Sequence, residues 1–395
     1  PNRQPAAGNP AGSNTLMMNS IHANGVSKVV RLACWLAVCL VLALLVLGTL
    51  ITTYRVGMVD PIWPTEPWFL LSQDWKEPSP GYFIEHIHRV AGYLSGFAIL
   101  GMVILTWNTT GGTFRKGMTN AGLVAVSVGV AIAMTSVDRS KAAADPVGAV
   151  NQKVLGIGLG IALASALVSI ARAITSIKKN EPNAGLRMLA LLAYLGVILQ
   201  GLLGGLRVYL NALVGPELAT VHGASGQLVF CLVFGTALLA SSPAIIPALE
   251  SKDLRLLPKI GWMLFCVLVV QLVWAVIVRH GGARWAQRMH LITAFIAFGV
   301  VAWISLKMTQ SGRARSYLKP YTILLGAIVF VQVVLGVEAW MGKFGTGRPV
   351  IQEATTFGQA TVRTLHAMVG AILLVVSFGA AIRIQQAKRA EVQAP

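Results

Sequence analysis

The chain has 395 residues, of which 55% are hydrophobic and 12% charged, a balance that excludes a water-soluble domain of this length and makes the bilayer its solvent. A formal net charge of +18 would suggest nucleic acid in a soluble protein. Here the Lys and Arg residues are spread through short links between apolar runs, so they read as topology determinants and no nucleic-acid partner is expected.

In chain order, residues 1–30 are rich in Asn, Gly, Pro and Ala without a hydrophobic pattern, which predicts a disordered tail. The first apolar run begins near Ala33; at about twenty residues it is too long for a signal-peptide core and predicts a retained helix. Further runs begin near Val90, Gly117, Val154, Met188, Val221, Ile260, Met289, Pro320 and Thr364. The expectation is an all-α polytopic membrane protein of about ten spans, each long enough for a ~30 Å hydrocarbon layer. Cys34, Cys39, Cys231 and Cys266 fall inside these runs, where a thiol behaves as a small hydrophobe, and no disulfide framework or metal knuckle is expected. Arg115 and Lys116, Lys178 and Lys179, Lys252, Arg255 and Lys259, Lys307, Arg313 and Arg315, and Lys388 and Arg389 occupy alternate links, which places that side and both termini in the cytoplasm, with residues 386–395 as a cytoplasmic tail. The opposite links hold Trp63, Trp68 and Trp75, rings suited to the interface. No Arg-rich, Ser-rich transit segment is visible, which favours the bacterial cytoplasmic membrane over the mitochondrial inner membrane.

Under this topology His88, His222, His290 and His366 all stand at the outer end of helices that run inward. The chain also repeats itself. The segment VILQGLLGGLRV (Val197 to Val208) precedes a loop and His222, and VFVQVVLGVEAW (Val329 to Trp340) precedes His366, so Gln200 aligns with Gln332 and Gly204 with Gly336. Two pseudo-repeated four-helix bundles are predicted, over residues 31–245 and 246–385. The first carries an inserted transmembrane hairpin at about 113–183, whose polar turn from Asp138 to Lys153 has no assigned role. Each bundle offers one histidine from each of two adjacent helices. Neutral imidazole is a good axial ligand for haem iron, and an ionisable group inside a membrane is by default a functional hypothesis. The four histidines are therefore expected to hold two haems near the outer face, with small residues in HGASGQ and HAMVGA letting a macrocycle approach the backbone.

Haem propionates need cationic partners, and Arg89, Arg207, Arg284, Arg288 and Arg363 are candidates at the same level, each equally readable as an arginine snorkelling to headgroups. In EHIHR, Glu85 precedes His88 by three residues and shares its helix face. A helix-capping role is open to Glu85, but the matching position in the second repeat is Gln287, which suggests chemistry in one half and electron passage in the other. His86 points to another face and reads as structural; His22 lies in the tail, and His280 reads as an outer-loop residue beside Arg279.

The stretch DPIWPTEPWFLL leading into IEHIHRVAGY, the helix LQGLLGGLRV followed by ATVHGASGQ, and the later RMH and TLHAMVGA segments resemble the haem A synthase family over about Arg31 to Arg383, the insertion apart. The resemblance implies an oxidoreductase that converts the C8 methyl group of haem O to a formyl group, giving haem A for cytochrome c oxidase assembly. It implies a b-type haem cofactor between His290 and His366, the haem O substrate between His88 and His222, and Glu85 as the essential acid of E-x-x-H-R. Haem O synthase and an electron donor are implied partners besides membrane lipid, and self-association is open. The cysteine pair that some bacterial members of the family carry in the first outer loop is missing between Thr53 and Ile84, so no thiol step is implied. The other reading of the histidines is a bis-histidine membrane cytochrome b that carries electrons and modifies no haem.

Overall fold

The computed structural model describes residues 26–58, 80–109, 113–142, 144–145, 148–243, 245–345 and 356–392. The tail to residue 25, with His22, and the loop bearing Trp63, Trp68 and Trp75 lie outside them. The described residues form helices joined by turns and links, with no strand among them and one isolated bridge, Val137 to Val150. In order come α1 (Lys28–Tyr54), α2 (Pro80–Thr109), α3 (Thr113–Met134), α4 (Gln152–Lys178), α5 (Ala184–Val208), α6 (Val214–Ala240), α7 (Leu256–Gly281), α8 (Arg284–Thr309), α9 (Arg315–Phe344) and α10 (Phe357–Val392). Among the described residues nine of these are long and apolar enough to cross a membrane, and α3 carries a shorter apolar stretch, Thr119–Met134. The chain is an all-α polytopic membrane protein.

Three boundaries differ from the sequence reading. Helix α1 starts at Lys28, inside the stretch read as tail, because the Ser27 side chain accepts from Val30 N–H at 3.3 Å and caps it. Helix α10 runs on to Val392, through most of the stretch read as a cytoplasmic tail. The loop predicted between Arg207 and His222 is a break inside one helical segment, Ala184–Ala240, with Val214 at φ −141° and ψ 34°. Pro216 enforces it, since proline has no N–H to donate and its ring clashes with the carbonyl four residues back.

The packing follows the repeat. In the first half α1 lies on α2 and both pack on the α5–α6 segment; in the second α7 meets α8 and α10, and α9 bridges α8 and α10. Helix α10 also contacts α1 and the α5–α6 segment and joins the halves. At the basic end a clasp completes the junction. Arg383 donates to Gln386 Oε1 (2.9 Å), Ser242 Oγ (3.1 Å) and Leu238 O (3.3 Å), tying α10 to the end of α6.

The inserted hairpin packs chiefly on itself, with α4 against the α5–α6 segment. Small residues let its two backbones meet: a Cβ on Gly158 would lie 2.6 Å from Gly129 O and 2.8 Å from Ala133 Cα. Ser127 joins the hairpin to Tyr194 OH at 2.6 Å. At its base Arg187, 3% exposed, pairs with Glu181 at 2.9 Å and covers the Trp107 ring. The turn from Asp138 to Lys153 is held by Asp138 N–H to Ala149 O (2.8 Å) and Asn151 N–H to Ser136 O (2.7 Å). Within it the Ser140 hydroxyl and N–H hold the Asp138 carboxyl below the usual carboxylate range. Gly158→Leu is expected to push backbone atoms apart and destabilise the protein by about 1–3 kcal/mol, read as earlier thermal unfolding in detergent. Gly156→Leu, on the same helix with nothing within 4 Å of the added atom, is the control that keeps the wild-type transition.

Candidate functional site

Each of the four histidines stands six to nine residues from the start of its helix, about two turns in, on α2, α6, α8 and α10. Because consecutive spans alternate in direction, these four run parallel and carry their imidazoles at one end, opposite the basic links. At that depth an imidazole needs a partner or a ligand.

The closest pairing is in the second half. The rings of His290 and His366 lie edge to face, with centres 6.2 Å apart and planes at 78°. Gln271 on α7 places its amide nitrogen 3.3 Å from His290 Nε2 and accepts from the Thr293 hydroxyl. Gln332 on α9 places its amide nitrogen 3.5 Å from His366 Nε2. The Nδ1 atoms of both rings are buried without a partner. Helix α9 can approach this closely because residue 336 is glycine: a Cβ there would lie 3.1 Å from His366 Cε1.

The first half reproduces half of this arrangement. Gln200, its amide nitrogen turned to the ring, donates to His222 Nδ1 at 3.0 Å and accepts from Gly226 N–H at 3.0 Å. A Cβ on Gly204 would lie 3.6 Å from His222 Cε1. Thus the aligned pairs Gln200 with Gln332 and Gly204 with Gly336 serve aligned histidines. His88 is built differently. Where His290 meets Gln271, His88 meets Gly48, whose Cβ would lie 3.2 Å from its Cε1, and His88 Nδ1 is buried without a partner. His88 and His222 are in electrostatic reach of each other.

Glu85, 4% exposed, is bridged by Arg89 Nη2 at 3.1 Å and lies in electrostatic reach of Arg207. The second repeat has Gln287 and Leu291 at these positions, so neither charge recurs. A buried carboxylate thus stands one helical turn before His88, where the position before His290 holds Gln287. His86 is fully buried and stacks on Tyr82, ring centres 5.4 Å apart.

The five arginines separate. Arg89 is engaged with Glu85, whereas Arg284 and Arg288 are exposed on α8. Arg207 and Arg363 turn inward at the histidine end, Arg363 donating to Gly342 O at 3.1 Å. His280 is in the last turn of α7 rather than in a loop, and its Nε2 would lie 3.5 Å from a Cβ on Gly223, beside His222. Sequence reasoning missed the three glutamines as ring partners, although the alignment of Gln200 with Gln332 was the available signal; Gln271 had none.

Comparison of the chain with protein-family models, with curated proteins and with solved structures finds no match. Among the described residues no three His, Cys, Asp or Glu side chains gather as a metal site, so what the fold brings together are imidazole pairs.

Proposed function

We propose that the chain is an oxidoreductase of the haem A synthase type, which oxidises the C8 methyl group of haem O to a formyl group. The observation that carries the haem is the His290–His366 pair. The two ring centres stand 6.2 Å apart with a buried nitrogen free on each ring, and neutral imidazole is a good ligand for haem iron. His290 and His366 would hold a b-type haem, which would supply one-electron redox chemistry when bound. His88 and His222 hold the substrate haem O, whose apolar tail lies among the lipid-facing helices.

What selects the synthase over a cytochrome b electron carrier is Glu85. A carrier that modifies no haem has no special need for an acid, whereas among the described residues a buried carboxylate, with an arginine at 3.1 Å from its Oε1, stands before His88 and none before His290. Each of two successive hydroxylations takes one O2, two electrons from the donor and two protons and releases one water, the second giving a hydrate that loses water to the formyl group, and Glu85 is the side chain placed to relay those protons. The chain works as a multi-pass protein of the bacterial cytoplasmic membrane with its histidine end outward, and receives haem O from haem O synthase and electrons from a separate donor. Pigment extraction from the purified protein tests the reading. Haem O or a hydroxylated intermediate beside haem B is expected, and haem B alone would turn the assignment to an electron carrier.

The glycine cradle gives a second test. Gly336→Leu displaces the His366 ring and is expected to lower haem B affinity roughly 5- to 150-fold, the equivalent of about 1–3 kcal/mol of overpacking. Gly326→Leu on the same helix, with nothing within 4 Å, is expected to bind as wild type.

A further inference from the structure

A neutral imidazole binds a metal through the nitrogen that has no proton, and the hydrogen bond made by its other nitrogen decides which one that is. The four histidines differ in that bond. His222 meets Gln200, whose amide is held by main-chain groups of α6: its oxygen accepts from Gly226 N–H at 3.0 Å and its nitrogen donates to His222 O at 3.1 Å. A backbone N–H only donates and a backbone carbonyl only accepts, so this amide cannot turn over. Its nitrogen therefore also faces His222 Nδ1, at 3.0 Å. Nδ1 accepts, and the proton of the neutral ring stands on Nε2.

The second bundle has no such lock. Gln271 leans on the Thr293 hydroxyl, which can accept from the amide as well as donate to it, because Met289 O at 2.9 Å takes its proton. Gln332 Oε1 is buried with no partner, so no group of fixed sign holds that amide. Either glutamine can turn its oxygen to Nε2 of its histidine and leave the lone pair on Nδ1, and in both rings Nδ1 is buried without a partner. His88 faces the carbonyl of Leu44, which takes a proton from one ring nitrogen and leaves a lone pair on the other. Three of the four rings thus keep a nitrogen for iron. His222 does not.

We propose that the two histidines of the first bundle have different roles: His88 is the single iron ligand of the substrate haem, and His222, its proton held on Nε2 by Gln200, is a hydrogen-bond donor. This rests on the haem O site proposed above and divides it between its two rings, which lie in electrostatic reach of each other. An iron held by one imidazole keeps a coordination position open to a small ligand, and a neighbouring donor governs what that position takes. An iron held by two, as proposed for His290 and His366, has both axial positions filled. Gln200 acts through His222 and is a positioning residue.

The test titrates the full-length protein in detergent with ferric haem B, which shares the iron and porphyrin core of the substrate, and reads the spin state of each equivalent bound. The wild type is expected to take two equivalents, one low-spin and one high-spin. H88A is expected to lose the high-spin equivalent alone, and H222A to keep it. Q200E replaces the amide nitrogen by an oxygen that accepts from Nδ1–H, which moves the lone pair to Nε2, so it is expected to turn the high-spin equivalent low-spin. A high-spin equivalent that stays high-spin in Q200E overturns the proposal. If Q200E shows no cooperative unfolding transition, Q200A, which frees Nδ1, is expected to make the same conversion, and an unchanged high-spin fraction there overturns it too. A wild type that takes a single equivalent sinks the haem site of the first bundle itself, whereas two equivalents that are both low-spin sink the donor role of His222 alone.

Discussion

Glu85→Gln is expected to stop the conversion of haem O while leaving the b-type spectrum intact. Glutamine keeps the length of the side chain and an oxygen for Arg89 Nη2, which now bridges the carboxylate at 3.1 Å, so the local geometry survives. What disappears is the titratable proton. General acid–base groups contribute about 10²- to 10⁴-fold to rate, so conversion is expected to fall at least about 100-fold, with haem O accumulating in pigment extracts. The spectrum is the control, because His290 and His366 belong to the other bundle, where Gln287 stands at the matching position. A Glu85→Gln protein that makes haem A at the wild-type rate would remove the acid–base role and return the chain to the electron-carrier reading.

The second large effect separates the two histidine pairs. His290→Ala or His366→Ala is expected to abolish the b-type spectrum, whereas His88→Ala and His222→Ala keep it and lose conversion. Loss of a partner behind a metal ligand lowers metal affinity about 10- to 100-fold, and loss of the ligand itself is expected to exceed that. Gln271 and Gln332 are those partners here, at 3.3 Å and 3.5 Å from the ring nitrogens. An unchanged six-coordinate spectrum in His366→Ala would show that the ring pair at 6.2 Å is not the ligand set.

Much of the molecule could be read without coordinates because membrane insertion is written in one dimension. A span is a run of about twenty apolar residues, so nine of the ten run starts fall in helices long and apolar enough to cross a membrane, and the start near Gly117 falls in α3 with its shorter apolar stretch. Spans alternate, so four histidines near four helix starts had to share an end. What could not be read were contacts between helices distant in sequence. The Arg279 bond to Thr49 joins residues 230 apart, and no local pattern marks either one as a partner of the other. The break at Val214 was missed for the opposite reason: the stretch from Arg207 to His222 looked like a loop, yet its residues satisfy their own backbone hydrogen bonds almost to the kink.

By itself the sequence determined the all-α membrane fold and the helix on which each of the four imidazoles and Glu85 stands. Each is a matter of hydrophobic run length, spacing along one helix or comparison of one half with the other. Only the tertiary structure decided which side chains meet those imidazoles, glutamine for three of them and Gly48 for His88, and which cations turn inward between the bundles. Those choices depend on the rotation of each helix about its axis and on how closely two backbones approach, and neither is set by the hydrophobicity that places a helix in the membrane.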